Sequence, residues 1–225
     1  MNIICLTFTF PRDFARAACH QRFLPAAWRK IWCVESADRA PARAAAPAGT
    51  EILPRDFPRG KTLRGDDAVE GMRRVFLELA AQCELLVKLD SDTALFRPEA
   101  WTAPAEAADV DFTYLRRYEA ESRLLANGCA YAVSRRALLR LKNFYADGDN
   151  IPAGFAGHED LLFSAFWTAL PRNRDLTLCQ LNKDKFHWCA KPYYGADCLG
   201  AHLGYVSQEE DFARCRVATA TRKNA

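Results

Sequence analysis

The chain has 225 residues, of which 50% are hydrophobic and 26% charged, and a formal net charge of +3. That is the balance of a soluble globular protein long enough for one sizeable domain, 1–225, and it excludes a disordered, fibrous or low-complexity chain. The charge is too small for a nucleic-acid footprint, so no nucleic-acid partner is expected.

Asn2 to Thr9 reads as a first buried strand, Asp13 to Ala27 as an amphipathic helix and Lys30 to Glu35 as a second strand. Strand, helix and strand in so short a span predict a parallel sheet. Ala37 to Gly49, rich in Ala, Pro and Arg, reads as a surface loop, and Glu51 to Leu53 as a short third strand. A helix follows Gly65, with Asp67 and Glu70 placed as a capping box and Val69, Met72, Val75, Phe76, Leu79 and Cys83 at helical spacing. It feeds the apolar run Leu85 to Leu89, which has the length and content of a buried strand and stops at Asp90-Ser-Asp92.

Beyond it, Pro98 to Trp101 begins a short helical turn, Asp111 to Tyr118 and Ala130 to Val133 read as strands, and Ser134 caps a helix from Arg135 to Phe144. Ala146 to Gly157 is a loop, His158 to Leu170 a helix stopped by Pro171, and Leu176 to Leu181 a strand. The remainder shows no clear period. The fold class expected is α/β, with a mostly parallel central sheet flanked by helices.

The nine cysteines are scattered and odd in number, with no Cys-x-x-Cys pair, which favours free thiols in a reducing compartment. The first residues lack a basic n-region and are too short to span a bilayer, so a cytoplasmic protein is expected. Basic clusters at Arg135, Arg136, Arg140 and Lys142, and at Arg214, Arg216, Arg222 and Lys223, fit either a solvated surface or a peripheral contact with an anionic membrane face.

Two carboxylates at the carboxyl end of a core strand suit a hard divalent cation, because ligands in open α/β sheets bind at that end. An acidic turn after a strand reads the same way in isolation. The Gly60-Lys61-Thr62 triplet lacks the upstream glycine of a phosphate-binding loop and follows no clear strand, which argues against an NTPase.

Taken in order, Asp90-Ser-Asp92, Asn127-Gly-Cys-Ala-Tyr131, Gly157-His-Glu159-Asp160 and His202-Leu-Gly-Tyr205 resemble the motifs of the GT-A glycosyltransferases, over most of the chain. The resemblance implies a nucleotide-sugar fold with residues 1–92 as nucleotide-binding half, 93–205 as acceptor and metal half, and 206–225 as a tail. It implies transfer of a sugar from a nucleoside-diphosphate donor, UDP above all, to a hydroxyl of a glycan, glycolipid or protein. Asp92 and His202 would hold the metal, Mn²⁺ or Mg²⁺, and the imidazole leans the choice toward Mn²⁺. Asp90 would reach the metal through water or hydrogen-bond the ribose. Asp160 would be the general base of an inverting transfer, or orient the acceptor in a retaining one, with Glu159 beside it. Asn127, Gly128 and Tyr131 would line the sugar pocket, and Lys61 and Arg64 would meet base or phosphate. Trp188, Tyr193, Tyr194 and Tyr205 offer rings for stacking on a sugar or for packing a core. A nucleotidyltransferase of related architecture is the rival, although Phe8 to Phe14 has no glycine-rich loop, and an inactive nucleotide-sugar-binding module is another.

Overall fold

The computed structural model describes residues 1–56, 66–116, 126–144, 159–188, 193–202 and 216–217. Its centre is a seven-stranded sheet built from β1 (Ile3–Phe8), β2 (Arg29–Glu35), β3 (Thr50–Arg55), β4 (Leu85–Asp90), β6 (Phe112–Arg116), β7 (Ala126–Ser134) and β8 (Leu178–Leu181), in the order β3-β2-β1-β4-β7-β6-β8. The first four of these run parallel, as do β6 and β8, and β7 alone is antiparallel to its neighbours. The mostly parallel sheet expected from the sequence is therefore present. Every residue of β1 is buried, the mark of a central strand covered on both faces.

Helices α1 (Phe14–Gln21), α2 (Arg39–Ala45), α3 (Asp66–Ala80), α4 (Glu99–Ala108), α5 (Arg135–Arg140) and α6 (Glu159–Ala169) accompany the sheet. Strand alternation divides its core in two. Ile4, Leu6, Phe8, Leu86, Tyr131 and Val133 pack with Val75 and Phe76 of α3 and Phe163 and Trp167 of α6. Ile3, Cys5, Val87, Leu89, Ala130 and Ala132 pack on the other side with Trp28 and Trp101.

Three sequence expectations about the helices need correction. The first helix stops at Gln21 rather than Ala27: Phe23 and Leu24 donate three residues back, to His20 and Gln21, and Pro25 has no N–H with which to continue the helix. The Ala37 to Gly49 loop contains α2: Pro41 sits in its first turn, where the missing N–H has no intrahelical acceptor, and Ala42 is buried in a cluster with Trp32 and Val34. The expected turn at Pro98 extends into the ten-residue α4. Of the expected capping box, the side chain of Asp67 lies outside the described residues, and the Glu70 carboxylate accepts from Arg73 at 2.6 Å and Arg74 at 2.7 Å. The Ser134 cap does form, accepting from the Ala137 N–H at 3.2 Å. Glu119 to Asn127 reads in the sequence as a polar loop, but Ala126 and Asn127 already belong to β7, which starts well before the expected Ala130; residues 119–125 and the loop Ala146 to Gly157 lie outside the described residues.

Short strands complete the fold: β5 (Thr93–Leu95), β9 (Phe186–His187), β10 (Tyr193–Tyr194), β11 (Gly200–His202) and β12 (Arg216–Val217), where the sequence shows no period. β5, β11 and β9 form a separate three-stranded sheet.

Candidate active site

Strand β1 pairs with β2 on one side and β4 on the other, so the chain order reverses between β1 and β4. The crevice at the carboxyl ends of two such strands is the ligand position of open α/β sheets. In this register Phe8 lies opposite Asp90, which places the first carboxylate of Asp90-Ser-Asp92 at the mouth of that crevice.

The second carboxylate and the histidine meet through the small sheet. β5 leaves the turn directly after Asp92 and pairs antiparallel with β11, Thr93 opposite His202 and Leu95 opposite Gly200. His202 Nδ1 therefore lies 3.2 Å from Asp92 Oδ1 and 3.2 Å from Thr93 Oγ1. Asp90, Asp92 and His202 each offer a ligand atom, all within 4.8 Å of one another, and all three are only partly buried. Two carboxylates and an imidazole at this spacing fit a divalent cation that keeps open positions for phosphate or water. Burial resists ionisation of Asp92, but the hydrogen bond and charge of His202 outweigh it and hold the carboxyl below its ordinary range. Burial likewise opposes a charge on His202, and Asp92 and Asp90 together overcome it and raise the imidazole.

Three side chains that sequence reading did not single out support the cluster. Lys88 is 1% exposed, and its ammonium reaches Asp90 Oδ1 at 2.6 Å, the carbonyl of Gly128, and the face of the Tyr131 ring at 5.5 Å. A period of two puts Lys88 and Asp90 on one face of β4, so a lysine inside an otherwise apolar run was the available signal. Arg16 of α1, hydrogen-bonded to Asp13 at 3.4 Å, adds a positive charge that helps keep Asp92 ionised.

His20 of α1 is the third, 1% exposed, with Nδ1 3.1 Å from the carbonyl of Ser91 between the two aspartates. The carbonyl must accept, so Nδ1 carries the proton, and buried Nε2 has no hydrogen-bond partner. Burial pushes His20 down to about 4, against the pull of the Ser91 carbonyl and the Asp92 charge. Between the ordinary value of 6.5 and about 4 the unfolded chain binds the extra proton and the folded one refuses it. Stability is thus full above pH 6.5 and is lost as pH falls toward 4, by about 3 kcal/mol at most. Urea unfolding at pH 7.5 and 5 should show a larger loss for the wild type than for His20→Gln; equal losses would contradict a neutral His20.

The remaining predicted positions divide. Gly128 is buried on β7 with its carbonyl held by Lys88, and the backbone of Asn127 lies on the same strand. Glu159 and Asp160 are the first two residues of α6, their side chains outside the description. Lys61, Arg64 and Tyr205 lie outside the described residues. Tyr131 does not line a surface pocket: it is buried among Phe76, Phe112 and Trp167. Tyr194 is likewise buried, against Phe96 and His187, whereas Trp188 and Tyr193 are exposed. Arg136 and Arg140 of the basic cluster are paired with Asp111 and Asp175. A cleft of about 720 Å³ opens at the opposite end of the sheet, but Arg136 and Ser134 are occupied there with Asp111, and none of the predicted metal, donor or catalytic residues lines it.

No family model and no curated protein matches the chain. Solved structures do. A galactosyltransferase, LgtC, in complex with donor and acceptor sugar analogs superposes with a TM-score of 0.60 over 99% of this chain and 98% of that one, at 11% identity. A glycosyltransferase involved in glycosylation of the major capsid of PBCV-1 gives 0.53 over 95% and 98%, at 10% identity. The fold is GT-A. A 4-diphosphocytidyl-2C-methyl-D-erythritol synthase from Anaerococcus prevotii also matches, at 0.51 over 80% and 86% with 9% identity, so the architecture is shared with a nucleotidyltransferase. Within the GT-A fold of this chain, Asp90, Asp92 and His202 are the candidate metal-binding group.

Proposed function

We propose that this protein is a metal-dependent glycosyltransferase that moves a sugar from a nucleoside-diphosphate donor, UDP above all, to an acceptor hydroxyl. The observation that carries the reading is the convergence of Asp90, Asp92 and His202, 109 residues apart along the chain between Thr93 and His202, at the β1/β4 switch point of a GT-A fold. The glycosyltransferases among its structural neighbours support the enzyme class. The reading treats 1–225 as one domain, with nucleotide half 1–92 and acceptor and metal half 93–205.

Asp92 and His202 hold the cation, Mn²⁺ in preference to Mg²⁺, and Asp90 either joins through water or binds the ribose. A cation held by these residues would supply positive charge for the leaving diphosphate. Lys88 fixes one oxygen of Asp90 so that the carboxylate does not swing, and Gly128 with Asn127 forms the neighbouring wall of the donor pocket. Lys61, Arg64 and Glu159 complete the donor contacts. Asp160, in the first turn of an eleven-residue helix, takes the acceptor proton as the hydroxyl attacks, with inversion.

This reading puts the protein in the cytoplasm, where buried thiols such as those of Cys5, Cys33 and Cys83 stay reduced. None of the described helices is long and apolar enough to cross a membrane. The second reading, a nucleotidyltransferase, rests on the shared architecture; the absence of a glycine between Phe8 and Phe14 weighs against it.

Asp160→Asn tests the mechanism. Transfer from UDP-sugar should slow by roughly 100-fold or more, while UDP affinity in Mn²⁺ stays within about twofold. Parallel losses in both would make Asp160 a binding residue.

A further inference from the structure

The chain contains five tryptophans, and Trp28, Trp32, Trp101 and Trp167 are each 7% exposed or less. Trp188 is 39% exposed. Its position follows from strand register: β9 runs parallel to β11 with Phe186 opposite Gly200 and His187 opposite Ala201, so Trp188, the residue directly after β9, comes beside His202 at the end of β11. The ring centroids of Trp188 and His202 are 6.0 Å apart at 69°, an edge-to-face contact. Beneath the indole, buried Phe186 packs at 5.1 Å and holds it from the core side.

This large flat ring, fixed from below and open to water, borders the one group of metal-ligating side chains found among the described residues. The face of a pyranose ring that carries axial C–H bonds is the surface such an indole covers best. A stacked aromatic orients a ring without needing a charge, so it would not compete with the cation for the diphosphate. The acceptor must approach this same edge if the donor phosphates lie on Asp92 and His202.

Resting on the transferase reading above, we propose that Trp188 is the stacking platform for the acceptor, which is therefore a sugar ring, carried by a free glycan or a glycolipid headgroup, rather than a protein side chain. Trp188→Ala raises acceptor KM by roughly tenfold or more with donor binding unchanged, and Trp188→Tyr restores most of the loss.

The test is a fluorescence titration of the full chain loaded with Mn²⁺ and UDP, using methyl glycosides, lactose, and a lactosyl lipid in phosphatidylcholine vesicles. UDP binding is measured first, by calorimetry; its failure overturns the transferase reading and this proposal with it. With UDP bound, a change in tryptophan emission on adding sugar that is lost in Trp188→Phe supports the platform. Response to free sugar assigns a glycan, and response to the vesicle form alone assigns a glycolipid. No emission change with any of these sugars, or a tenfold loss of UDP affinity in Trp188→Ala, overturns the proposal.

Discussion

Asp92→Asn is expected to lower Mn²⁺ affinity by about 100-fold or more and to abolish metal-dependent nucleotide binding, with little change in folding. Asp92 is the residue through which both halves of the site communicate: it ends the turn after β4, and its Oδ1 lies 3.2 Å from His202 at the end of β11. Asparagine retains the shape and can still hydrogen-bond the imidazole, so the backbone turn is undisturbed. It loses the charge that a hard cation requires and that raises His202. Mn²⁺ titration followed by electron paramagnetic resonance gives the affinity directly. Undiminished Mn²⁺ binding in Asp92→Asn would remove the residue from the site.

Gly200→Ala is expected to damage the same site from a distance, without touching any ligand. A β-carbon at Gly200 would clash with the carbonyl oxygen of Ala94 on β5, far inside van der Waals contact, and would lie 3.0 Å from the Phe186 ring on β9. The first obstacle is backbone, so β11 must move rather than a side chain turn. The cost is about 1–3 kcal/mol of stability, the usual range for overpacking. Because β11 carries His202 two residues on, its shift separates the imidazole from Asp92, and Mn²⁺ affinity should fall by about tenfold or more. Paired thermal melts and Mn²⁺ titrations separate the effects. A destabilised variant with wild-type Mn²⁺ affinity would show that the β5–β11 register does not set the site.

The contrast between these two residues explains what the sequence disclosed. Asp92 was legible because a short apolar strand ending in two acids is a local pattern, readable within eight residues. Gly200 was not, since its reason is a close approach to Ala94, more than a hundred residues earlier, across strands of three residues that have no period to detect. Lys88 lies between these cases: its spacing from Asp90 was visible, but its partners Gly128 and Tyr131 come from β7, and only the β4–β7 register brings them under it. The helical content of residues 39–45 was hidden by Pro41, which reads as a breaker unless the residue is already known to stand in a first turn. Exposure was illegible for the aromatics, where Trp188 and Tyr194 look alike in the sequence and differ because Tyr194 is covered by Phe96.

The central claim is a nucleoside-diphosphate donor site built on Asp90, Asp92 and His202. Calorimetric titration of UDP and of GDP into the wild-type protein, in Mn²⁺ and in EDTA, tests it most directly. The expected result is binding of UDP that requires Mn²⁺ and disappears in EDTA. Binding of equal strength in EDTA, or no binding of either nucleotide with the metal present, would contradict it.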